Sequence, residues 1–273
     1  MRRGTDGDYS REQLHADLMR LGVSRSSILL VHASMRNVQP LHHDPAVVAD
    51  ALLHVLGDEG TLVVPTYTSW NSTSSPAFRA ATECMTPEQL SVYRESMPAF
   101  DPLLTPAWGM GTFAEYVRTH PEAVRSTHPQ TSFAAVGARS IELMSKHDLD
   151  CHLGDQSPLG AMYRADAFVL MLGTEYSTSS VFHLAECRHA LKPLREYQCR
   201  TADKMHDTTN PLNGWVSFED VDFDDSDFHL LGSDFESMTG CVHRGSVGGA
   251  QSLLFRVRSA VDFAAHWLPK NRQ

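Results

Sequence analysis

Three short apolar runs constrain the architecture most. Ile28-Leu29-Leu30-Val31, Thr61-Leu62-Val63-Val64-Pro65 and Ala167-Phe168-Val169-Leu170-Met171-Leu172 are continuous rather than alternating. A strand that is apolar at every position has to be covered on both faces, which favours a parallel sheet between helices. Each run delivers polar residues at its carboxyl end. His32-Ala33-Ser34-Met35-Arg36 follows the first, and Thr66-Tyr67-Thr68-Ser69-Trp70-Asn71 follows the second. Between them Asp44-Pro45 opens a helix that runs through Leu56 and stops at Gly57. Residues 1–70 therefore read β-α-β, an α/β design with a crevice where the strands end.

The third run, ended by Gly173, leads through a polar turn into Val181-Phe182-His183-Leu184-Ala185-Glu186. Ser179 or Ser180 can cap this helix, which puts His183 in its first turn and Glu186 one turn on, on the same face. A histidine held there can titrate near neutrality. The plain structural reading of this stretch is a satisfied helix histidine.

The other segments supply the flanks. Ser10 and Gln13 form a capping box before a helix with Leu14, Leu18 and Leu21 on one face, stopped by Gly22. Residues 72–107, rich in Ser, Thr and Pro, read as an irregular excursion over the crevice. Helices are expected at 112–119, 140–147, from Ser157, near Phe235 and over Ser259–Leu268. Residues 194–218 read as antiparallel strands with an Asn213-Gly214 turn. No repeat or linker divides the chain, so one domain over 1–273 is expected, with 72–107 and 194–228 on the substrate side.

Composition excludes several classes. The net charge of −10 makes nucleic acid an unfavoured partner and favours cationic ligands. No apolar run reaches the roughly 18 residues of a membrane span, and the first residues lack a signal-peptide core. Five scattered cysteines without a CxxC suggest reduced thiols in a cytoplasmic protein. GxSxG, P-loop, GxGxxG-plus-acid and HExxH patterns are all missing. Asp220, Asp222 and Asp224 match the opening of an EF-hand loop, but Asp225 and Leu231 stand where glycine and glutamate are required. Cys187 shares a helical face with His183, yet a lone helix cysteine is usually a small buried hydrophobe. His128-Pro129 and the glycines at 245–249 can each bring backbone N–H groups to a ligand or simply turn the chain.

In order and spacing these segments resemble the aminoglycoside 3-N-acetyltransferases, the antibiotic N-acetyltransferase family. The resemblance is carried by Leu29-Leu30-Val31-His32-Ala33-Ser34-Met35, Gly60-Thr61-Leu62-Val63-Val64-Pro65-Thr66 and Pro98-Ala99-Phe100-Asp101. It continues through Arg125-Ser126-Thr127-His128-Pro129, Ser132-Phe133-Ala134-Ala135-Val136-Gly137 and Ser157-Pro158. His183-Leu184-Ala185-Glu186, Glu219-Asp220-Val221-Asp222 and Val247-Gly248-Gly249-Ala250-Gln251 complete it.

The resemblance implies an α/β fold, distinct from the GNAT acetyltransferases, with a mixed central sheet flanked by helices. It implies acetyl transfer from acetyl-coenzyme A to the 3-amino group of an aminoglycoside, and with it antibiotic resistance. His183 is the implied general base, acting in direct ternary-complex transfer. Asp220 is its best-matched acid, with Glu219 and Asp222 as competitors. Coenzyme A maps to Val31, His32, Ser34, Met35, Thr66, Ser126, His128, Ser132 and Phe133. Tyr67, Asn71, Glu186 and Asp222 map to the substrate side, Asn71 standing where some members carry an acid. The thioester oxygen needs donors, for which a backbone N–H near Ser34 and the Thr66 and Thr68 hydroxyls are candidates. No metal is implied, and monomer and homodimer stay equally open. Three alternatives remain beside this reading: a same-fold N-acetyltransferase acting on another small amine, a metal-dependent hydrolase suggested by 15 histidines, and a non-enzymatic aminoglycoside binder.

Overall fold

The structure is a computed structural model that describes residues 11–38, 44–68, 70–190, 192–202 and 214–272. The three apolar runs become β1 (Ile28–Ala33), β2 (Thr61–Pro65) and β5 (Phe168–Leu172), with β3 (Val124–Arg125) and β4 (Phe133–Gly137) between them in sequence. β1 pairs in parallel with both neighbours, Leu30 opposite Val63 on one side and Val169 on the other. β4, β9 (Ala250–Arg256) and β8 (His243–Val247) extend the sheet antiparallel, giving the order β3-β4-β2-β1-β5-β9-β8. The sheet is therefore mixed, as expected: a parallel centre with antiparallel flanks.

Alternation along β1 sends side chains to opposite faces. Leu29 and Val31 pack with Leu14 and Leu18 of α1 (Arg11–Leu21), Leu52 and Val55 of α2 (Pro45–Leu56) and Phe113 of α5 (Gly111–Arg118). Leu30 faces the opposite layer. That layer is built from α6 (Ser140–Met144), α7 (Pro158–Arg164), α8 (Val181–Arg188), α9 (Phe228–Thr239) and α10 (Val257–Asn271). Local chemistry starts α2 and α7 where the sequence suggested. Asp44 accepts from the Ala46 N–H and Ser157 from the Leu159 N–H, each with proline at the first helical position.

Several expectations need correction. Residues 72–107 are not irregular throughout: α3 (Pro76–Thr82) and α4 (Pro87–Ser96) lie within them. Ser75-Pro76 and Thr86-Pro87 are cap-plus-proline starts, a signal that reads equally as a turn. The 140–147 helix ends at Met144, while the last helix begins at Val257 and reaches Asn271. The glycine cluster is a hairpin turn between β8 and β9, with φ of 56° at Gly248 and 76° at Gly249. Ser10 of the first capping box and Asn213 of the expected turn lie outside the described residues.

A separate two-stranded sheet, β6 (Leu194–Arg200) and β7 (Trp215–Val221), sets Tyr197 opposite Phe218. It carries the acidic block to the carboxyl-end side of the main sheet. Among the described residues no helix is long and apolar enough to cross a membrane.

Candidate active site

His183 sits in the first turn of α8, behind the carboxyl end of β5. The helix starts after Ser180 without a side-chain cap, and the Ser180 hydroxyl accepts from the Tyr67 hydroxyl at 2.8 Å. The imidazole Nδ1 lies 2.5 Å from Glu186 Oε2. The Glu186 side chain is almost wholly buried, and its other oxygen accepts from Arg272 and from the Asp224 N–H. Arg272 in turn grips Asp227. A carboxylate so placed only accepts, so Nδ1 carries the proton and Nε2 is left as the basic nitrogen. Phe223 and Phe228 flank the ring, with centroids at 4.9 and 4.8 Å.

The ring faces a cavity of about 420 Å³. Val31, His32 and Ala33 reach it from the end of β1, Pro65 and Tyr67 from the end of β2, and residues 177–180 from the turn before α8. This is the crevice that the β-α-β reading anticipates. Thr174 and Ser177 also line a second cavity of about 980 Å³, whose walls include Ser34, Arg36, Asn37 and Arg244. Burial, followed by the charge of nearby His183, lowers the pKa of His32 to about 4. Burial raises that of Tyr67, so its hydroxyl stays protonated and donates to Ser180.

The acid expected on His183 is elsewhere. Asp220, on β7, accepts from both the backbone N–H and the Nδ1 of His152, at 2.6 and 2.9 Å. Glu219 is exposed opposite Glu196 in the β-hairpin, and exposed Asp222 pairs with Arg195 at 3.4 Å. Alternation along β7 turns Glu219 to the side opposite Asp220. Glu186, assigned above to substrate contact, is the residue that holds His183. Its spacing of three on a helix was the available signal. Nothing in the sequence marked Arg272, which closes the site across 86 residues.

Several residues assigned to coenzyme A lie in the protein interior. Ser126 bonds the His147 ring at 2.9 Å and receives the Phe133 N–H at 2.9 Å. The Nδ1 of His128 accepts from the Gln130 and Thr131 N–H groups, leaving Nε2 to donate to the Leu149 carbonyl. Thr66 and Ser132 share a hydrogen bond and the Arg125 guanidinium, and Phe133 is fully buried in the core. Thr68 and Asn71 both bind the Pro129 carbonyl. The loop thus spends most of its buried polar side chains on holding itself. Of the assigned set, Val31 and His32 border the first cavity and Ser34 the second, while Met35 is buried beside them. Burial raises the thiol pKa of Cys187 strongly, which disfavours the thiolate that a nucleophile needs.

The chain is similar to known proteins over nearly its whole length. The family model described as Aminoglycoside 3-N-acetyltransferase matches residues 30–269. The chain is 32% identical to the SPbeta prophage-derived aminoglycoside N(3')-acetyltransferase-like protein YokD of Bacillus subtilis (strain 168), over 96% of this chain and 93% of that one. It is also 32% identical to Aminoglycoside N(3)-acetyltransferase III of Pseudomonas aeruginosa, over 96% and 95%. The crystal structure of YokD superposes with a TM-score of 0.88 at 31% identity, covering 98% of this chain and 96% of that one. The structure "AAC-IIIb binary with CoASH" gives 0.80 at 28% identity, covering 96% of each chain. "AAC-VIa bound to Sisomicin" gives 0.77 at 26%, covering 97% and 98%. The chain belongs to the aminoglycoside 3-N-acetyltransferase family of acyltransferases.

Proposed function

We propose that the chain transfers the acetyl group of acetyl-coenzyme A to the 3-amino group of an aminoglycoside, with His183 as general base and no acyl-enzyme. The observation that carries this is a histidine with one nitrogen held by a buried carboxylate and its ring on a cavity. An ammonium cannot attack a thioester. As the amine nitrogen bonds to the carbonyl carbon, Nε2 takes its proton, a contribution of roughly 10²–10⁴-fold. Glu186 fixes the tautomer and stabilises the imidazolium, and the proton then leaves with the coenzyme A sulfur. The second cavity supports a seat for the donor: it shares Thr174 and Ser177 with the first, and Arg36 offers a planar fork suited to phosphate. Among the residues lining the first cavity, Asp225 is the single acid available to a cationic sugar.

A second reading, transfer to another small amine, is favoured by the placement of Asn71 and Asp222 away from that cavity. A thiol-release assay with acetyl-coenzyme A against a panel of aminoglycosides and simple amines separates the two. Turnover with gentamicin-like acceptors is expected. Turnover with small amines alone would replace the first reading by the second, and no release with any acceptor would reject both.

A further inference from the structure

We propose that His32 and Ser179 form the pocket that holds the thioester oxygen while negative charge develops on it, an inference that rests on the acetyl-transfer reading above. Among the described residues two buried side-chain polar atoms have no hydrogen-bond partner, His32 Nε2 and Ser179 Oγ. Both residues line the cavity onto which His183 opens. They come from unrelated parts of the chain, one from the end of β1 and one from the turn before α8. An unpaired buried polar group is costly, so two such residues on one cavity wall point to a partner that arrives with the substrate.

Their chemistry suits an oxyanion. The Ser179 hydroxyl is a free rotor with its proton and lone pairs uncommitted, whereas the neighbouring Ser180 hydroxyl is oriented by the bond it accepts from Tyr67. Burial holds His32 uncharged at neutral pH, and the tautomer with its proton on Nε2 donates an N–H without opposing the imidazolium that forms on His183. The atoms are shut off from bulk water, where such donors act most strongly. The hydroxyls of Thr66 and Thr68, the candidates from sequence, are engaged within the protein. The step balances as follows. The amine lone pair forms the C–N bond, the carbonyl π pair moves onto oxygen, and the amine proton passes to His183. The oxygen pair then re-forms the carbonyl, the C–S bond breaks with its electrons on sulfur, and sulfur takes the proton from His183.

The test is steady-state thiol release by Ser179→Ala, His32→Phe and His32→Gln, with coenzyme A affinity by calorimetry and Tm measured alongside. Ser179→Ala and His32→Phe are each expected to lower kcat roughly 10²–10³-fold. Coenzyme A binding should hold, and Tm should stay level or rise, because an unpartnered buried group has gone. His32→Gln, whose amide still donates, should recover at least about tenfold over His32→Phe. A kcat within about threefold of wild type in either Ser179→Ala or His32→Phe overturns the proposal. So does a falling Tm with kcat unchanged, which would assign both atoms to a structural water. Ser179→Ala removes one oxygen atom, so the test stands even if His32→Phe does not fold. An inactive wild type, or an active His183→Ala, would instead reject the underlying function.

Discussion

Two largely buried histidine–carboxylate pairs stand out among the described residues, and their surroundings separate them. His183 and Glu186 meet at 2.5 Å, His152 and Asp220 at 2.9 Å. The His183 side chain keeps 15% exposure on a cavity, whereas that of His152 keeps 3%. His152 is used up: Asp220 takes one nitrogen, Gln130 lies 2.9 Å from the other, and Tyr197 and Phe218 cover the ring. His183 has Nε2 left over, without a partner among the described residues. A histidine–acid contact is thus no mark of catalysis by itself. What distinguishes the candidate site is a nitrogen left unsatisfied where a substrate can reach it.

That contrast can be broken at either pair. The largest effect is expected from Glu186→Gln, which should lower kcat roughly 10²–10⁴-fold by releasing the tautomer of His183, with coenzyme A binding little changed in calorimetry. Acid should act on the closed pair and its neighbours. Burial is the leading cause that lowers His32 to about 4, His147 to about 3, His128 well below the usual range and His152 less far. Below about pH 6.5 the unfolded chain takes up protons that these rings refuse, so stability falls as pH drops toward 4, by up to about 1.4 kcal/mol per pH unit for each ring. Denaturant melts at pH 7, 6 and 5 read this directly, and a flat profile would contradict it.

Asp220→Asn comes next. It should cost about 2–3 kcal/mol in denaturant unfolding while kcat changes far less than in Glu186→Gln, because His152 loses its partner within the fold. A kcat loss as large as that of Glu186→Gln would erase the distinction between the pairs. The smallest effect is expected from Tyr67→Phe, which removes the bond to Ser180 at the start of α8 and should cost about 0.5–1.5 kcal/mol of stability.

The sequence revealed most of the fold, because continuous apolar runs and cap-plus-proline starts are local signals. It revealed His183 at the start of its helix and Glu186 on the same face, since helical spacing is local too. The partner of Asp220 and the interior position of Ser126, His128 and Ser132 were not legible. They depend on how the 148–156 loop and the β6–β7 hairpin meet, a long-range contact without a periodic trace. The same holds for Arg272, which reaches Glu186 only because α10 packs along α8. The orphaned atoms of His32 and Ser179 are visible only once every neighbour is in place.

The most direct test compares acetyl-coenzyme A-dependent thiol release by His183→Ala and by the wild type, with an aminoglycoside acceptor. Coenzyme A affinity and Tm are checked in the same preparations. A fall in kcat of roughly 10²–10⁴-fold with binding and fold intact is the expected result. Turnover within about threefold of wild type would contradict the role of His183 as the base.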